Sequence, residues 1–152
     1  MLSPPTPYDQ DFYAWTQQMA AALRQQNWAA LDIENLAEEI ENLGKSDRRA
    51  LKSRLEILIM HLLKWQFQPT QRSNSWKATI TEQRLRIQDL LADSPSLKNY
   101  LNDTLPTAYR NAKRLAADET GLALSSFPET CAYSVEQLLE NDQWLPAEEQ
   151  SS

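Results

Sequence analysis

The stretch "SDRRALKSRLEILIMHLLKWQFQP" (residues 46–69) decides the fold. Its apolar residues recur at the spacing of a helix, and they cover nearly every side of that helix. The main stripe consists of Leu51, Leu55, Leu58 and Leu62. Because such a helix needs neighbours on several sides, the stretch predicts a central helix from Ser46 to about Phe67. Pro69, which cannot continue a helix, is expected to end it.

The remaining chain is typical of further helices around this centre. Its 152 residues suit one domain with one core. Only two glycines occur, which argues against a turn-rich all-β fold and against glycine-rich phosphate loops. We therefore predict one all-α, bundle-like domain of five or six helices. We expect this domain to span residues 9–145, with a flexible Pro-rich arm at 1–8 and a flexible tail at 146–152.

Capping residues indicate where the helices begin and end. Gly44 is the predicted left-handed stop of the second helix, and Pro106 is expected to kink or split the fifth. Gln137 stands three residues after Ser134, the spacing of a capping box. The predicted N-terminal caps are Asp9, Asp32, Ser46, Ser75, Ser94 and Ser134.

Charge favours a helical hairpin that turns at Gly44. Residues 31–43 carry five acids and no base, whereas residues 45–54 carry five bases and one acid. Folded back on each other, the two stretches would attract. Each exposed pair contributes only about 0–1 kcal/mol, so the pattern helps register more than stability.

His61, the only histidine, is the first candidate for chemistry. We expect it to be structural, neutral at pH 7 and hydrogen-bonded to a neighbouring helix, because its surroundings are strongly apolar. The alternative is a general base or metal ligand. In the hairpin, Glu38 and Glu39 would lie roughly 14 Å from it along the axis, too far to share a metal. Any real site would combine His61 with Asp32, Glu34 and Glu82.

A second candidate is an acidic stripe on the second helix, facing away from its apolar side. It consists of Glu34, Glu38 and Glu41. Such a stripe is usually a solvated face, and the alternative is a docking surface for a basic partner. Two tryptophans, Trp65 and Trp76, flank the loop after the central helix, where we expect them to pack beneath it. Nearby cations leave a base-stacking platform as the weaker alternative.

These observations favour a non-catalytic protein-interaction or regulatory module. We expect no metal or cofactor, an unknown protein partner or a second copy, and a reducing cytoplasm, since Cys131 is alone. The longest apolar run, "ILIM", is too short to span a membrane. One alternative is a metal-assisted hydrolase or nuclease centred on His61. Nucleic-acid binding through the basic start of the third helix is weaker, because the net charge is −6.

Several stretches also carry a family resemblance. They are "YDQDFYAW" (8–15), "LDIENLAEEIENLG" (31–44), "HLLKWQFQP" (61–69), "SWKATITEQR" (75–84), "SPSL" (94–97) and "FPETCAY" (127–133). In this order the chain resembles the bacterial, mainly cyanobacterial, family called Domain of Unknown Function 29. Ala132 departs from the pattern, where proline is expected. The resemblance implies an all-helical domain and no particular activity.

Overall fold

The computed structural model describes residues 6–140 and 143–147. These residues form helices and turns without any strand, which confirms the predicted all-α class. The α-helices are α1 (Pro7–Gln10), α2 (Phe12–Arg24), α3 (Ile33–Phe67), α4 (Asn74–Asp93) and α5 (Leu97–Thr120). Single 3-10 turns lie at Trp28–Ala30, Pro69–Gln71 and Leu124–Ser126, and a π-helical turn lies at Glu136–Glu140.

The predicted hairpin at Gly44 is wrong, because α3 runs through it as one helix of 35 residues. Gly44 does not have a positive φ; the glycine in the left-handed region is Gly121, which ends α5 at φ 75°. The physical reason is local. The residues after Gly44 are compatible with a helix, and Glu41 and Lys45 have the i, i+4 spacing that stabilises one. Ser46 is therefore an interior residue rather than the start of a helix.

Asp32 precedes α3 as the predicted cap, whereas α2 and α4 begin two residues away from their predicted caps. Thr6 caps α1 and Asp9 closes its capping box, whereas Asp11 caps α2 through the backbone N–H of Ala14 at 3.0 Å. Ser73, rather than Ser75, caps α4 by accepting from Trp76 N at 3.2 Å. In each case a second polar residue close by competes for the same role, so spacing alone did not identify the cap.

The fifth helix begins at Leu97, after a turn that starts at Ser94. Ser96 holds its N-cap position, so the predicted cap at Ser94 is wrong. Pro106 lies inside this helix, which continues to Thr120, so Pro106 does not split it.

The described residues fall into two compact units, divided between Ser46 and Asp47. In the first unit, α2 packs against the first part of α3. Its buried side chains are Trp15, Met19 and Ala22. The backbone N–H of Asp32 lies 3.3 Å from the sulfur of Met19, at the point where the chain enters α3. This unit therefore has a very small core.

The second unit holds the main core. Leu51, Leu55, Leu58, Leu62 and Leu63 of α3 are fully buried, as the central helix predicts. They pack with apolar residues of α4, α5 and the C-terminal segment, including Ile80, Ile87, Leu101, Ala108, Ala112, Phe127 and Leu138. The leucine stripe thus decides the architecture of this unit.

A buried arginine fixes the C-terminal segment to α4. Arg84 is 1% exposed, and its guanidinium donates to Leu138 O at 2.9 Å and to Gln137 O at 2.8 Å. The predicted capping box at Ser134 is present: Ser134 N donates to Gln137 Oε1 at 2.9 Å, and Gln137 N donates to Ser134 Oγ at 3.1 Å. The capping box therefore fixes the start of this turn, and Arg84 holds its end against α4.

The predicted arm and tail fall mainly on residues 1–5 and 148–152, which lie outside the described residues. Of the parts that are described, Pro7 and Tyr8 belong to α1, and Pro146 is buried. The predicted extents of arm, domain and tail stay predictions. Within residues 6–140 and 143–147, no helix is both long and apolar enough to cross a membrane.

Candidate functional site

His61 bonds within its own helix rather than across helices. Its Nδ1 lies 2.9 Å from the carbonyl oxygen of Ile57, one turn earlier in α3. Because a carbonyl can only accept, Nδ1 carries the hydrogen and the neutral ring keeps its lone pair on Nε2. Burial lowers the pKa of His61 below its ordinary value of 6.5, against a smaller raising effect of the Ile57 carbonyl. The predicted cross-helix bond is wrong, and the direction of the pKa supports the predicted neutral form.

The charged groups near His61 are not those of the predicted site. They are Lys64 and Glu119, whose side chains form an ion pair at 2.6 Å. Glu82 is an exposed residue of α4, on a face that it shares with Lys77 and Arg86. No group of three histidine, cysteine or acidic side chains that could hold a metal ion occurs in the described part of the chain.

Asp32 and Glu34, the other two predicted members, lie in the first unit. Asp32 acts as a cap: its carboxylate accepts from Asn35 Nδ2 at 2.8 Å and lies 3.4 Å from Asn35 N. Glu34 is exposed. The hairpin that would have brought them level with His61 does not form. The four residues are therefore no longer expected to form one site.

The acidic stripe is exposed as predicted from its spacing, with Glu34, Glu38 and Glu41 all open to solvent. Within the described residues, none of the three has an ion-pair partner. Glu39, which lies beside the stripe, is half-buried and accepts a hydrogen bond from the Tyr8 hydroxyl. That bond, more than burial, raises the pKa of Tyr8 to about 12.

The apolar side of the same helix, opposite the acidic stripe, borders an open surface. An apolar groove of about 340 Å³ runs between α2 and α3 of the first unit. Its walls are formed by Phe12, Trp15, Met19, Leu23, Leu36, Ile40 and Leu43. Ile40 and Leu43 are 66% and 69% exposed, and Ile33 at the edge of the same helix is 68% exposed. Helical spacing identifies such residues as an apolar face, but it does not indicate whether another layer covers that face.

The floor of the groove contains an unusual polar atom. Trp15 is 3% exposed, and its indole Nε1 has no hydrogen-bond acceptor among the described residues. Its ring packs edge-on against Tyr8, with centroids 4.8 Å apart, and stacks on Phe12 at 5.8 Å. A buried donor without an acceptor costs about 1–3 kcal/mol. Two members of this aromatic cluster, Phe12 and Trp15, therefore line the groove, and an unsatisfied donor lies beneath it.

The two tryptophans of the loop after α3 are covered by cations of the same chain. The guanidinium of Arg72 lies 4.9 Å from the ring centre of Trp65, and the ammonium of Lys64 lies 4.6 Å from that of Trp76. Arg72 Nε also donates to Trp65 O at 2.8 Å. Two of the nearby cations that could have attracted a nucleic acid thus stack on the rings themselves, which favours the packing role predicted for both tryptophans.

The contacts of Cys131 are those of a residue that packs within the fold. Its thiol donates weakly to Tyr133 O, with the sulfur 3.6 Å from the oxygen. Burial raises the pKa of the Cys131 thiol, against a smaller lowering effect of that bond. A protonated thiol is a poor nucleophile, so this residue does not suggest a reaction.

Fold and site together define a helical protein with a packed core in one unit and an unpartnered apolar groove in the other. A family model described as "Domain of unknown function DUF29" matches residues 7–145, and the chain belongs to this family. The resemblance seen in the sequence is thereby confirmed. Neither a curated protein nor a solved structure matches the chain.

Proposed function

We propose that this chain is a non-catalytic protein-interaction or regulatory module, and that the apolar groove between α2 and α3 is its binding surface. One observation carries the proposal. Of the ten large hydrophobic side chains that are exposed in the described structure, seven lie between Phe12 and Leu43. Four of these seven line the one groove: Phe12, Leu23, Ile40 and Leu43. Exposed apolar residues are ordinary when scattered singly, whereas a contiguous apolar patch marks an interaction surface.

The small core of the first unit supports the same proposal. Two helices that bury only three side chains gain little stability from their own packing. The pair formed by α2 and the first part of α3 therefore needs further apolar contact to be stable. A partner that covers Ile40 and Leu43 would supply that contact.

The alternative of a hydrolase centred on His61 is not favoured by any contact of that residue, because its Nδ1 is engaged by its own helix and the four predicted members depended on the hairpin. We also propose that the chain acts in the cytoplasm. Its single cysteine, kept as a half-buried thiol, supports a reducing compartment.

Site-specific photo-crosslinking tests the proposed surface. A photoreactive amino acid replaces Leu43 in one variant and Leu115 in a matched control, an exposed leucine of α5 in the second unit. The variants are irradiated in the cells that produce them. We expect a discrete adduct of higher mass from position 43 and none from position 115. Equal adducts from both positions, or none from position 43, would overturn the proposal.

A further inference from the structure

A cavity between α5 and a loop of the C-terminal segment lies wholly within the second unit. Its volume is about 550 Å³, inside the range of about 300–1,000 Å³ that is typical of small-molecule sites. The loop is "FPETCAY" (127–133), one of the stretches that carry the family resemblance. Among the residues that line the cavity are Tyr109, Arg110 and Lys113 of α5 and Glu129, Thr130 and Cys131 of the loop. The cavity is therefore large enough for a small ligand and is separate from the groove of the first unit.

The loop is held in place at both of its ends. Phe127 is buried, and its ring packs edge-on against a phenylalanine of α3 with the centroids 5.2 Å apart. Tyr133 is buried as well, and its hydroxyl donates to a glutamine side chain of α3 at 2.6 Å. Between these two anchors, the hydroxyl of Tyr109 donates to Pro128 O and joins the loop to α5. The wall formed by residues 129–131 is therefore in position before a ligand arrives, so binding does not have to order it.

The helix wall of the cavity carries two cations, Arg110 and Lys113. They are three residues apart, so they lie on the same face of α5. Within the described residues, neither of them forms an ion pair. The ammonium of Lys113 lies 5.9 Å from the ring centre of Tyr109, within the range of a cation–π contact. The cavity therefore offers two positive groups to a negatively charged ligand.

The other lining residues limit the kind of anion that fits. Leu105, Pro106 and Tyr109 give the helix wall an apolar surface, which suits a ligand with an apolar body. Glu129 adds one carboxylate from the loop wall. Because like charges repel, this carboxylate disfavours a ligand with several negative groups, such as a nucleotide. The lining thus favours a single negative charge joined to an apolar body.

We propose that this cavity binds a small organic carboxylate with an apolar body. The guanidinium of Arg110 and the ammonium of Lys113 bind the carboxylate through charge-assisted hydrogen bonds. The apolar walls cover the body of the ligand and supply affinity by removing it from water. The inference concerns the second unit alone, so it goes beyond the proposed function and does not depend on it.

Three probes with the same apolar body test the preference for a carboxylate. They are phenylacetate, the neutral phenylacetamide and the cationic phenethylamine, each titrated into the full chain and followed by assigned two-dimensional amide NMR spectra. We expect phenylacetate to shift signals within residues 105–113 and 127–133, with a Kd on the order of 1 mM for a probe of this size. The other two probes should bind at least about tenfold more weakly, because they lose the charge-assisted hydrogen bonds.

Single substitutions in the lining test the roles of its charges. Arg110→Gln and Lys113→Gln should each raise the Kd for phenylacetate about 3–10-fold, because each removes one cation. Glu129→Gln should lower the Kd about 2–5-fold, because it removes the repulsion. The control is Arg86→Gln, which removes an exposed cation of α4 outside the cavity and should change the Kd by less than about twofold. Arg110 and Glu129 are also exposed, so circular dichroism should show all variants folded.

Cys131 provides a second readout, because it is the only cysteine of the chain and lines the cavity. Phenylacetate at several times its Kd should slow the alkylation of this thiol by N-ethylmaleimide several-fold, whereas phenylacetamide at the same concentration should not.

Equal affinity for all three probes would overturn the inference, as would an absence of shifts in residues 105–113 and 127–133. It would also be overturned by an unchanged Kd in both Arg110→Gln and Lys113→Gln, or by alkylation that phenylacetate does not slow. Crosslinking at position 43 concerns the first unit, so the proposed function and this inference can fail separately.

Discussion

Changing Gly44 to Ala should stabilise α3, although glycine at this position looks in the sequence like a helix stop. Gly44 lies inside the helix, and a Cβ added there meets no atom within 4 Å. The substitution therefore changes only the backbone preference. Glycine in a helix interior costs about 0.5–1 kcal/mol relative to alanine, so Gly44→Ala should stabilise the helix locally by that amount.

Gly121 provides the matched control, because a Cβ added there also meets nothing within 4 Å. Its φ is 75°, in the left-handed region at the end of α5. An alanine there pays about 1–2 kcal/mol for that conformation. The two glycines therefore have the same open surroundings. The same substitution should stabilise α3 at Gly44 and destabilise the end of α5 at Gly121.

Hydrogen–deuterium exchange measured by mass spectrometry reports each change locally. Exchange of amides in residues 40–49 should slow about 2–5-fold in Gly44→Ala, as about 0.5–1 kcal/mol requires. Exchange at the end of α5 should accelerate in Gly121→Ala. Faster exchange around residue 44 in Gly44→Ala would refute the reasoning, because it would mean that Gly44 is the left-handed end of a separate helix, as the hairpin predicted.

Three further changes test the second unit. Arg84→Met should lower the free energy of unfolding by about 2–5 kcal/mol, because it leaves buried carbonyls without their donor. Arg86→Met, on the exposed face of the same helix, should change the free energy of unfolding by no more than about 0.5 kcal/mol. Equal losses in urea denaturation would contradict this. For His61 the folded pKa lies below the unfolded value of about 6.5, so its contribution to stability is fully present above that value and is lost as the pH falls from it through the lower folded pKa. His61→Gln should therefore flatten the fall in melting temperature between about pH 7 and 5, and an unchanged slope would exclude His61 as its cause. Ser134→Ala should cost about 1 kcal/mol through the lost capping box, seen as faster amide exchange in residues 135–139 and refuted by unchanged exchange.

Local signals in the sequence predicted the second unit well. The leucines of α3 cover several sides of the helix, and only a surrounded helix can have that pattern in water. The capping box at Ser134 involves two residues three apart, so its geometry is contained in the sequence itself. By contrast, the sequence indicates only part of the role of Arg84. Its helical spacing from Ile80 and Ile87 places it on the apolar side of α4, unlike Arg86. The acceptors of its guanidinium could not be predicted, because the carbonyls of Gln137 and Leu138 come from a segment far along the chain.

The groove could not be predicted because periodicity identifies an apolar face but not whether anything covers it. Phe12, Leu36 and Ile40 have the spacing of core residues, and in a larger bundle they would be core residues. Among the residues that the structure describes, α2 and the first part of α3 pair without a third layer over the groove. Sequence reasoning therefore placed the interaction surface on the polar stripe, one face away from the apolar residues that are exposed.

Complementary charge has the same limit, since it indicates that two stretches attract without indicating which molecule brings them together. The order of acids and bases around Gly44 is compatible with a turn at Gly44 or with i, i+4 pairs along one helix. The structure excludes the turn, because α3 continues through Gly44. Glu41 and Lys45 have the i, i+4 spacing, which favours the continuous helix. The same charges therefore suggested a hairpin and are compatible with one helix, because attraction between two stretches does not specify the path of the chain between them.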